Sequence, residues 1–98
     1  MFVFLSEYEG FGLTPLEALS TGVPIVVFDT PIAREVYGDA AEFVGIGDIS
    51  ATATAIKKFL DSPAAARDQL MNAPDVLARY SWDRAAEATL QHIERIAR

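Results

Sequence analysis

The sequence contains no cysteine, and it has a single histidine, His92, among its 98 residues. The chain therefore has no disulfide bond, no thiolate metal site and no cysteine nucleophile, a composition that fits a reducing compartment. One histidine is too few for a histidine-based zinc site. No apolar run reaches the roughly 18 residues that a membrane span needs, and the apolar start lacks the basic region of a signal peptide. We therefore predict a cytoplasmic protein that has no cysteine- or histidine-based metal site and no transmembrane segment.

Basic residues are also few, with eight against 14 acidic residues and a net charge of −6. The imbalance lies in the first half of the chain, where Arg34 is the only basic residue. Nucleic-acid binding depends on lysine and arginine side chains that neutralise phosphates. We therefore predict that nucleic acid is not a partner.

Three short apolar runs predict parallel strands, at Phe2–Leu5, Pro24–Phe28 and, more weakly, Glu42–Val44. Apolar runs without alternation are typical of strands that are covered on both faces. Between the first two runs, residues Thr14–Thr21 have an apolar face at helical spacing, and Gly22 follows where a helix ends. This order predicts a strand–helix–strand unit.

The second half of the chain predicts helices. Asp48 is a good N-cap for one helix, and Ser62 followed by proline starts another, which should stop near residues 72–74. A last helix follows Ser81, and we expect Trp82 at its start to belong to the core, because its helical neighbours on that side are apolar.

The predicted fold class is α/β, a partial Rossmann-like, doubly wound parallel sheet of about three strands with covering helices and a helical C-terminal tail. We treat residues 1–98 as a single partial domain, with a strand–loop–helix segment at 1–49 and a helical segment at 50–98. Doubly wound sheets usually have five or six strands. The outer edge of Phe2–Leu5 would leave backbone groups unpaired, so we expect a missing N-terminal portion or another chain to lie there.

The loop at residues 6–13, between the first strand and the first helix, is the segment that indicates a binding site. In α/β folds ligands lie at the carboxyl ends of the strands. Gly10, Phe11 and Gly12 allow the backbone to approach a ligand, and free amides at a helix start attract anions such as phosphate. The third glycine of the dinucleotide motif and the lysine of a P-loop are both absent.

Two structural explanations of the same residues stay open. The Gly10-Phe11-Gly12 sequence can be a tight turn alone. Thr14-Pro15-Leu16-Glu17 also matches a capping box, in which Thr14 would be the N-cap and Glu17 would bond back to a free amide. That explanation would account for Glu17 without any ligand.

The string EGFGLTPLEALSTGVPIVVFDTPIAREVYGDAA resembles the signature of family 4 retaining glycosyltransferases of the GT-B fold. Seven residues separate Glu9 from Glu17, the spacing of the paired glutamates in that family. Further matches occur along the chain, at Gly22-Val23-Pro24, Glu35-Val36, Gly38-Asp39-Ala40-Ala41 and Ser81-Trp82. Thr14 departs from the pattern, since proline is usual there.

The resemblance implies the second half of a GT-B C-terminal domain, with a nucleotide-diphosphate sugar as substrate, no cofactor and no essential metal. Glu9 would be the catalytic residue that faces the hexose, and Glu17 would accept hydrogen bonds from the ribose hydroxyls. The backbone amides of the loop would hold diphosphate or sugar oxygens, namely those of Gly10, Phe11, Gly12 and Leu13. The cationic and acceptor-binding residues of the family precede these segments, so we expect the isolated chain to be inactive.

Two other functions are considered. One is a noncatalytic, truncated module that pairs with another chain through its exposed sheet edge. The other is a sugar phosphorylase of the same fold, which would need a lysine-held cofactor, and Lys57 and Lys58 are wrongly placed for that role.

Overall fold

The computed structural model describes all 98 residues, Met1 to Arg98, and shows an α/β fold. Three parallel strands form one sheet in the order β1-β2-β3: β1 (Phe2–Phe4), β2 (Ile25–Phe28) and β3 (Ala41–Val44). The helices are α1 (Leu13–Ser20), α2 (Pro31–Tyr37), α3 (Ile49–Asp61), α4 (Pro63–Leu70), α5 (Ala73–Leu77) and α6 (Trp82–Ala97). The predicted fold class, strand number and helical tail are confirmed.

The central strand β2 is covered on both faces, as its apolar run predicts. Successive side chains of a strand point to opposite faces. Ile25 and Val27 belong to the main core, together with residues of α1, α2 and α5. Val26 belongs to a smaller core on the other face, where it packs with Ala55 and Phe59 of α3. The covering helices therefore hold β2 in place from two sides.

The edge strand β1 differs from the prediction. Phe2 and Phe4 pack against the main core, but Val3 is 36% exposed because no helix covers its face. The prediction that β1 is buried on both faces is therefore wrong. The strand pairs only with β2, so its outer edge has no strand partner.

Helix α1 ends in a Schellman motif that leads the chain into β2. The amide of Gly22 donates to the carbonyl of Leu19 at 3.0 Å, and the amide of Val23 donates to that of Ala18 at 3.1 Å. Gly22 has a φ of 79°, a left-handed conformation that glycine adopts without steric cost. The turn predicted at this glycine is confirmed.

The caps predicted for the second half are also confirmed. The side chains of Asp48, Ser62 and Ser81 each accept a hydrogen bond from the amide three residues further on, and they start α3, α4 and α6. Helix α4 ends at Leu70 and α5 begins at Ala73, so the predicted interruption near residues 72–74 is present.

Helix α6 does not contribute to the core. Trp82 is 84% exposed, and every residue from Ser81 to Arg98 is exposed. The prediction that Trp82 is a core residue is wrong, because amphipathic spacing predicts a helix with an apolar side but not the neighbour that covers it. No helix is long and apolar enough to span a membrane.

The amide of Ile25 gives a testable prediction about stability. Gln69 is 9% exposed, and its Oε1 accepts a hydrogen bond from this amide at 2.9 Å. Replacing Gln69 with leucine would leave the amide buried without an acceptor, so we expect the free energy of unfolding to fall by about 1–3 kcal/mol. The measurement is urea unfolding followed by near-ultraviolet circular dichroism of the buried aromatic side chains.

The matched control is Gln91→Leu on the exposed helix α6, where we expect a change within about 0.5 kcal/mol. Equal unfolding midpoints for the two variants would contradict a structural role of the Gln69 amide.

Candidate functional site

The loop between β1 and α1 lies at the carboxyl end of the sheet. Because β1 and β2 are parallel, both strands end at this edge. A shallow recess, open to solvent, lies there between the loop, the end of β2 and the start of α2. Its lining includes Ser6, Glu9 and Phe11 of the loop, Thr30 and Ile32 after β2, and Tyr37 of α2.

Gly12 is the N-cap of α1 and has φ 88° and ψ 64°, a left-handed conformation. Thr14 therefore lies inside the helix, and no side chain caps its start. The predicted capping box is absent, because an N-cap needs non-helical backbone angles and Gly12 has already taken that position. The side chain of Glu17 makes no hydrogen bond within the chain.

The hydroxyl of Tyr37 donates a hydrogen bond to the carbonyl of Gly12, with an O–O distance of 2.8 Å. In the other five helices the carbonyl of the N-cap residue accepts from the amide four residues further on, at Thr30, Asp48, Ser62, Asn72 and Ser81. No such amide bond ends on the Gly12 carbonyl, so the tyrosine takes its place. The apolar face of α2 indicates that Tyr37 is buried, but no local pattern identifies Gly12 as its partner.

Tyr37 is 3% exposed, and burial raises the pKa of its phenol to about 12. Charge repulsion from Glu9, and to a smaller extent from Tyr80, adds to this rise in the pKa of Tyr37. The hydroxyl therefore stays protonated, and able to donate to Gly12, well above neutral pH.

The backbone amides of the loop and of the first helical residues are free. None of the amides from Glu9 to Thr14 donates a hydrogen bond within the chain. Those of Leu13 and Thr14 belong to the first turn of α1, where the helix dipole is positive, and Pro15 has no amide hydrogen. This segment can therefore donate several hydrogen bonds to oxygens of an anionic ligand.

The two glutamates occupy different places. Glu9 is exposed and lines the recess, and its Oε1 accepts a hydrogen bond from the hydroxyl of Ser6 at 2.9 Å. Glu17 is exposed on α1 and does not line the recess. The recess therefore brings Glu9 together with Phe11 but leaves Glu17 outside.

Among the remaining predicted residues, Phe11 is 38% exposed, and its ring packs edge to face against that of Tyr80 with the centroids 5.0 Å apart. Gly10 is exposed and Gly12 is buried. Leu13 is 52% exposed at the start of α1. Phe11 and Gly12 thus attach the loop to the protein, while Gly10 and Leu13 on either side of them are exposed.

Arg34, the only basic residue of the first half, is held by Asp29. Its Nε and Nη2 donate to the two carboxylate oxygens at 2.7 and 2.8 Å, and its guanidinium lies 4.0 Å from the centre of the Phe43 ring. The hydrogen bond from Arg34 lowers the pKa of Asp29. The guanidinium charge is therefore engaged beside the recess and does not line it.

The parallel sheet with a glycine loop and a helix start at its carboxyl end defines a Rossmann-like class of α/β fold. Residues 1–75 match the family of group 1 glycosyl transferases. The chain belongs to this glycosyltransferase family. Its sheet and helical tail agree with the C-terminal Rossmann-like domain of the GT-B fold, as predicted.

Curated relatives have similar sequences. The chain is 33% identical over 81 residues to the O-antigen chain mannosyltransferase RfbU of Salmonella typhimurium. The matched region covers 83% of this chain and 22% of the relative. It is 33% identical over 89 residues to O-antigen chain mannosyltransferase B of Escherichia coli, a match that covers 91% of this chain and 23% of the relative. It is 34% identical over 92 residues to a glycogen synthase of Mycobacterium tuberculosis, a match that covers 91% of this chain and 22% of the relative. The chain spans about a fifth of the length of these relatives.

The glycines of the loop allow a matched test. An alanine at position 12 would bring its Cβ against the Tyr37 hydroxyl and would have to adopt a positive φ. We expect Gly12→Ala to lower the free energy of unfolding by about 2 kcal/mol. Gly10→Ala is the control, since no atom lies within 4 Å of its added Cβ and its φ is not positive. Equal stability of both variants in urea unfolding would contradict this description of the turn.

The raised pKa of Tyr37 predicts a loss of stability at high pH. An unfolded tyrosine ionises near pH 10, whereas the folded phenol resists ionisation up to about 12. The stabilisation by this group is complete below pH 10 and is lost as the pH rises from about 10 to about 12. The measurement compares urea unfolding of the wild type with Tyr37→Phe at about pH 9 and about pH 11. The difference in free energy of unfolding between the wild type and Tyr37→Phe should be smaller at about pH 11 than at about pH 9. An equal difference at both pH values would contradict the prediction.

Proposed function

We propose that this chain carries one half of a nucleotide-sugar donor site in a retaining hexosyltransferase. The observation that carries the proposal is the run of free amides from Glu9 to Thr14, at the positive end of α1 and beside the Glu9 carboxylate. Membership of the group 1 glycosyltransferase family supports it. Two of the relatives above are named mannosyltransferases and one is named a glycogen synthase, which favours a hexose as the transferred sugar.

In this proposal Glu9 is the catalytic residue that faces the hexose. Its Oε1 is held by Ser6, which leaves the other carboxylate oxygen able to accept hydrogen bonds from sugar hydroxyls. A carboxylate has several acceptor sites and no donor, so it suits a group with two neighbouring hydroxyls. The position of Glu9 at the recess brings this carboxylate next to the free amides of the loop.

The amides of Gly10, Phe11, Gly12 and Leu13 are proposed to bind the diphosphate or sugar oxygens. During transfer the bond between the anomeric carbon and the diphosphate oxygen breaks, and negative charge grows on the leaving group. Fixed donors that are already aimed at this charge stabilise the transition state, since they need no rearrangement. We propose that an acceptor hydroxyl attacks the anomeric carbon on the face that the diphosphate leaves and gives its proton to the leaving phosphate oxygen. A new bond from this carbon to the acceptor oxygen replaces the broken one, the anomeric configuration is retained, and no metal is essential.

Glu17 is proposed to accept hydrogen bonds from the ribose hydroxyls. It is exposed on α1, and its carboxylate has no partner within the chain, so no structural contact explains it. A ligand whose diphosphate lies on the start of α1 can extend its nucleoside along the helix toward this residue. The recess would then hold only the sugar end of the donor.

The cationic part of such a site is proposed to lie outside this chain. Arg34 is engaged by Asp29, and the other basic residues belong to the helical second half. We therefore propose that the 98-residue chain binds the donor weakly and transfers no sugar alone. Its cysteine-free composition favours action in the cytoplasm.

The open edge of β1 supports a second candidate function, a noncatalytic module that pairs with another chain. Strand β1 has no partner beyond β2, and Val3 is partly exposed. Backbone groups of an open edge can add a strand from a partner. A chain that sediments as a monomer and also unfolds cooperatively would argue against this candidate.

The donor-site proposal is tested by Glu17→Gln, which keeps the size of the side chain and removes its charge. Because Glu17 has no partner within the chain, stability should not change, while affinity for a bound donor should fall about tenfold or more. The measurement is a chemical-shift titration of the 98-residue chain with UDP-glucose and GDP-mannose. The control is Glu87→Gln on the exposed face of α6.

Unchanged affinity of Glu17→Gln would remove the ribose contact from the proposal. Sugar transfer to any acceptor by the 98-residue chain alone would contradict the half-site, because it would show that no cationic part is missing.

A further inference from the structure

We infer that Tyr37 is a positioning residue of this donor site, whose hydroxyl sets the direction of the loop amides by holding the Gly12 carbonyl. The inference rests on the proposed function, and it adds a residue whose hydroxyl acts through the loop, since its hydrogen is donated to the Gly12 carbonyl. It depends on three features, which are the geometry of the peptide, the rigidity of the tyrosine and the space beside Gly12.

The first feature is the planar peptide that joins Gly12 to Leu13. In a trans peptide the carbonyl and the amide hydrogen point in opposite directions, and the chain has no cis peptide. The Tyr37 hydroxyl holds the Gly12 oxygen at 2.8 Å. The amide of Leu13 must therefore point away from the tyrosine, and it has no acceptor within the chain.

The second feature is that Tyr37 is itself firmly held. Its side chain belongs to the main core, and α2 is capped at its start by Thr30, whose hydroxyl accepts from the amide of Ala33 at 3.1 Å. A buried side chain on a capped helix has little freedom, so the position of its hydroxyl is well defined. The loop thus takes its orientation from the core.

The third feature is the close approach of the two residues. The absent Cβ of Gly12 leaves the space that the Tyr37 hydroxyl occupies. The left-handed conformation of Gly12 also turns its carbonyl away from the amide four residues on, so the tyrosine is its hydrogen-bond partner. The glycine and the tyrosine therefore fit together at one point of the loop.

Tyr37 would make the same hydrogen bond if its role were purely structural, so the test needs a second tyrosine for comparison. Tyr80 is that residue. The Tyr80 hydroxyl donates to the carbonyl of Val36 at 3.0 Å, a bond of the same kind between a tyrosine and a backbone oxygen. Tyr80 does not line the recess, and a phenylalanine there keeps the ring that packs against Phe11. Tyr80→Phe thus loses an equivalent bond that does not end on the loop.

The experiment compares Tyr37→Phe with Tyr80→Phe in the 98-residue chain, using UDP-glucose and GDP-mannose as probes. Urea unfolding reports stability, and chemical-shift titration reports the dissociation constant and the response of the Leu13 amide. We expect both variants to lose stability. We expect only Tyr37→Phe to bind the probe about fivefold more weakly, with a smaller shift of the Leu13 amide.

Each outcome decides between the two roles. Equal affinities of the two variants would overturn the positioning role while the donor-site proposal stands. A Tyr37→Phe chain that is unfolded where Tyr80→Phe is folded would show a structural role alone and would also overturn it. If the wild type bound neither probe at millimolar concentration, the donor-site proposal would fail, and the role of Tyr37 with it.

Discussion

The hydrogen bond between the Tyr37 hydroxyl and the Gly12 carbonyl is the contact on which the candidate site depends. It joins α2 to the start of α1 across 25 residues of sequence. A helix normally satisfies its first carbonyl with its own amide, and the other helices of this chain do so. In α1 the left-handed glycine gives up that bond, and a residue of the next helix provides the replacement. The loop and the core are therefore coupled through one buried hydroxyl.

Local rules predict most of the fold, and long-range contacts account for what they miss. The N-caps Asp48 and Ser62 are predicted correctly because a cap involves residues three apart, and β2 is predicted because its apolar run is covered on both faces. The prediction that Thr14 is an N-cap is wrong, because Gly12, which has a positive φ, is the N-cap of this helix. Tyr37 has a partner distant in sequence, and Trp82 has no neighbour that covers it; helical spacing identifies neither fact. The roles of Glu9 and Glu17 remain predictions, because a spacing of seven residues identifies the family motif without showing what each carboxylate contacts.

The candidate site combines an acidic segment with backbone amides, which are hydrogen-bond donors without net charge. Backbone amides and a helix dipole can bind an anion without a cationic side chain. In the proposed function, the Glu9 carboxylate would repel a diphosphate, so the diphosphate is proposed to lie on the amides and the neutral sugar by the carboxylate. Such an arrangement would orient the nucleotide sugar by charge as well as by shape. Arg34 does not disturb it, because Asp29 already neutralises the guanidinium.

Helix α6 has a thermodynamic consequence for the whole chain. All of its residues are exposed, so little tertiary contact connects its helicity to the sheet. A helix of 16 residues on its own is marginal in water, and its melting is gradual. The far-ultraviolet signal of this chain therefore sums two processes, a cooperative loss of the core and a broad helix–coil transition. Amides of α6 should exchange with solvent at rates close to those of a free peptide, while those of β2 exchange only when the core opens.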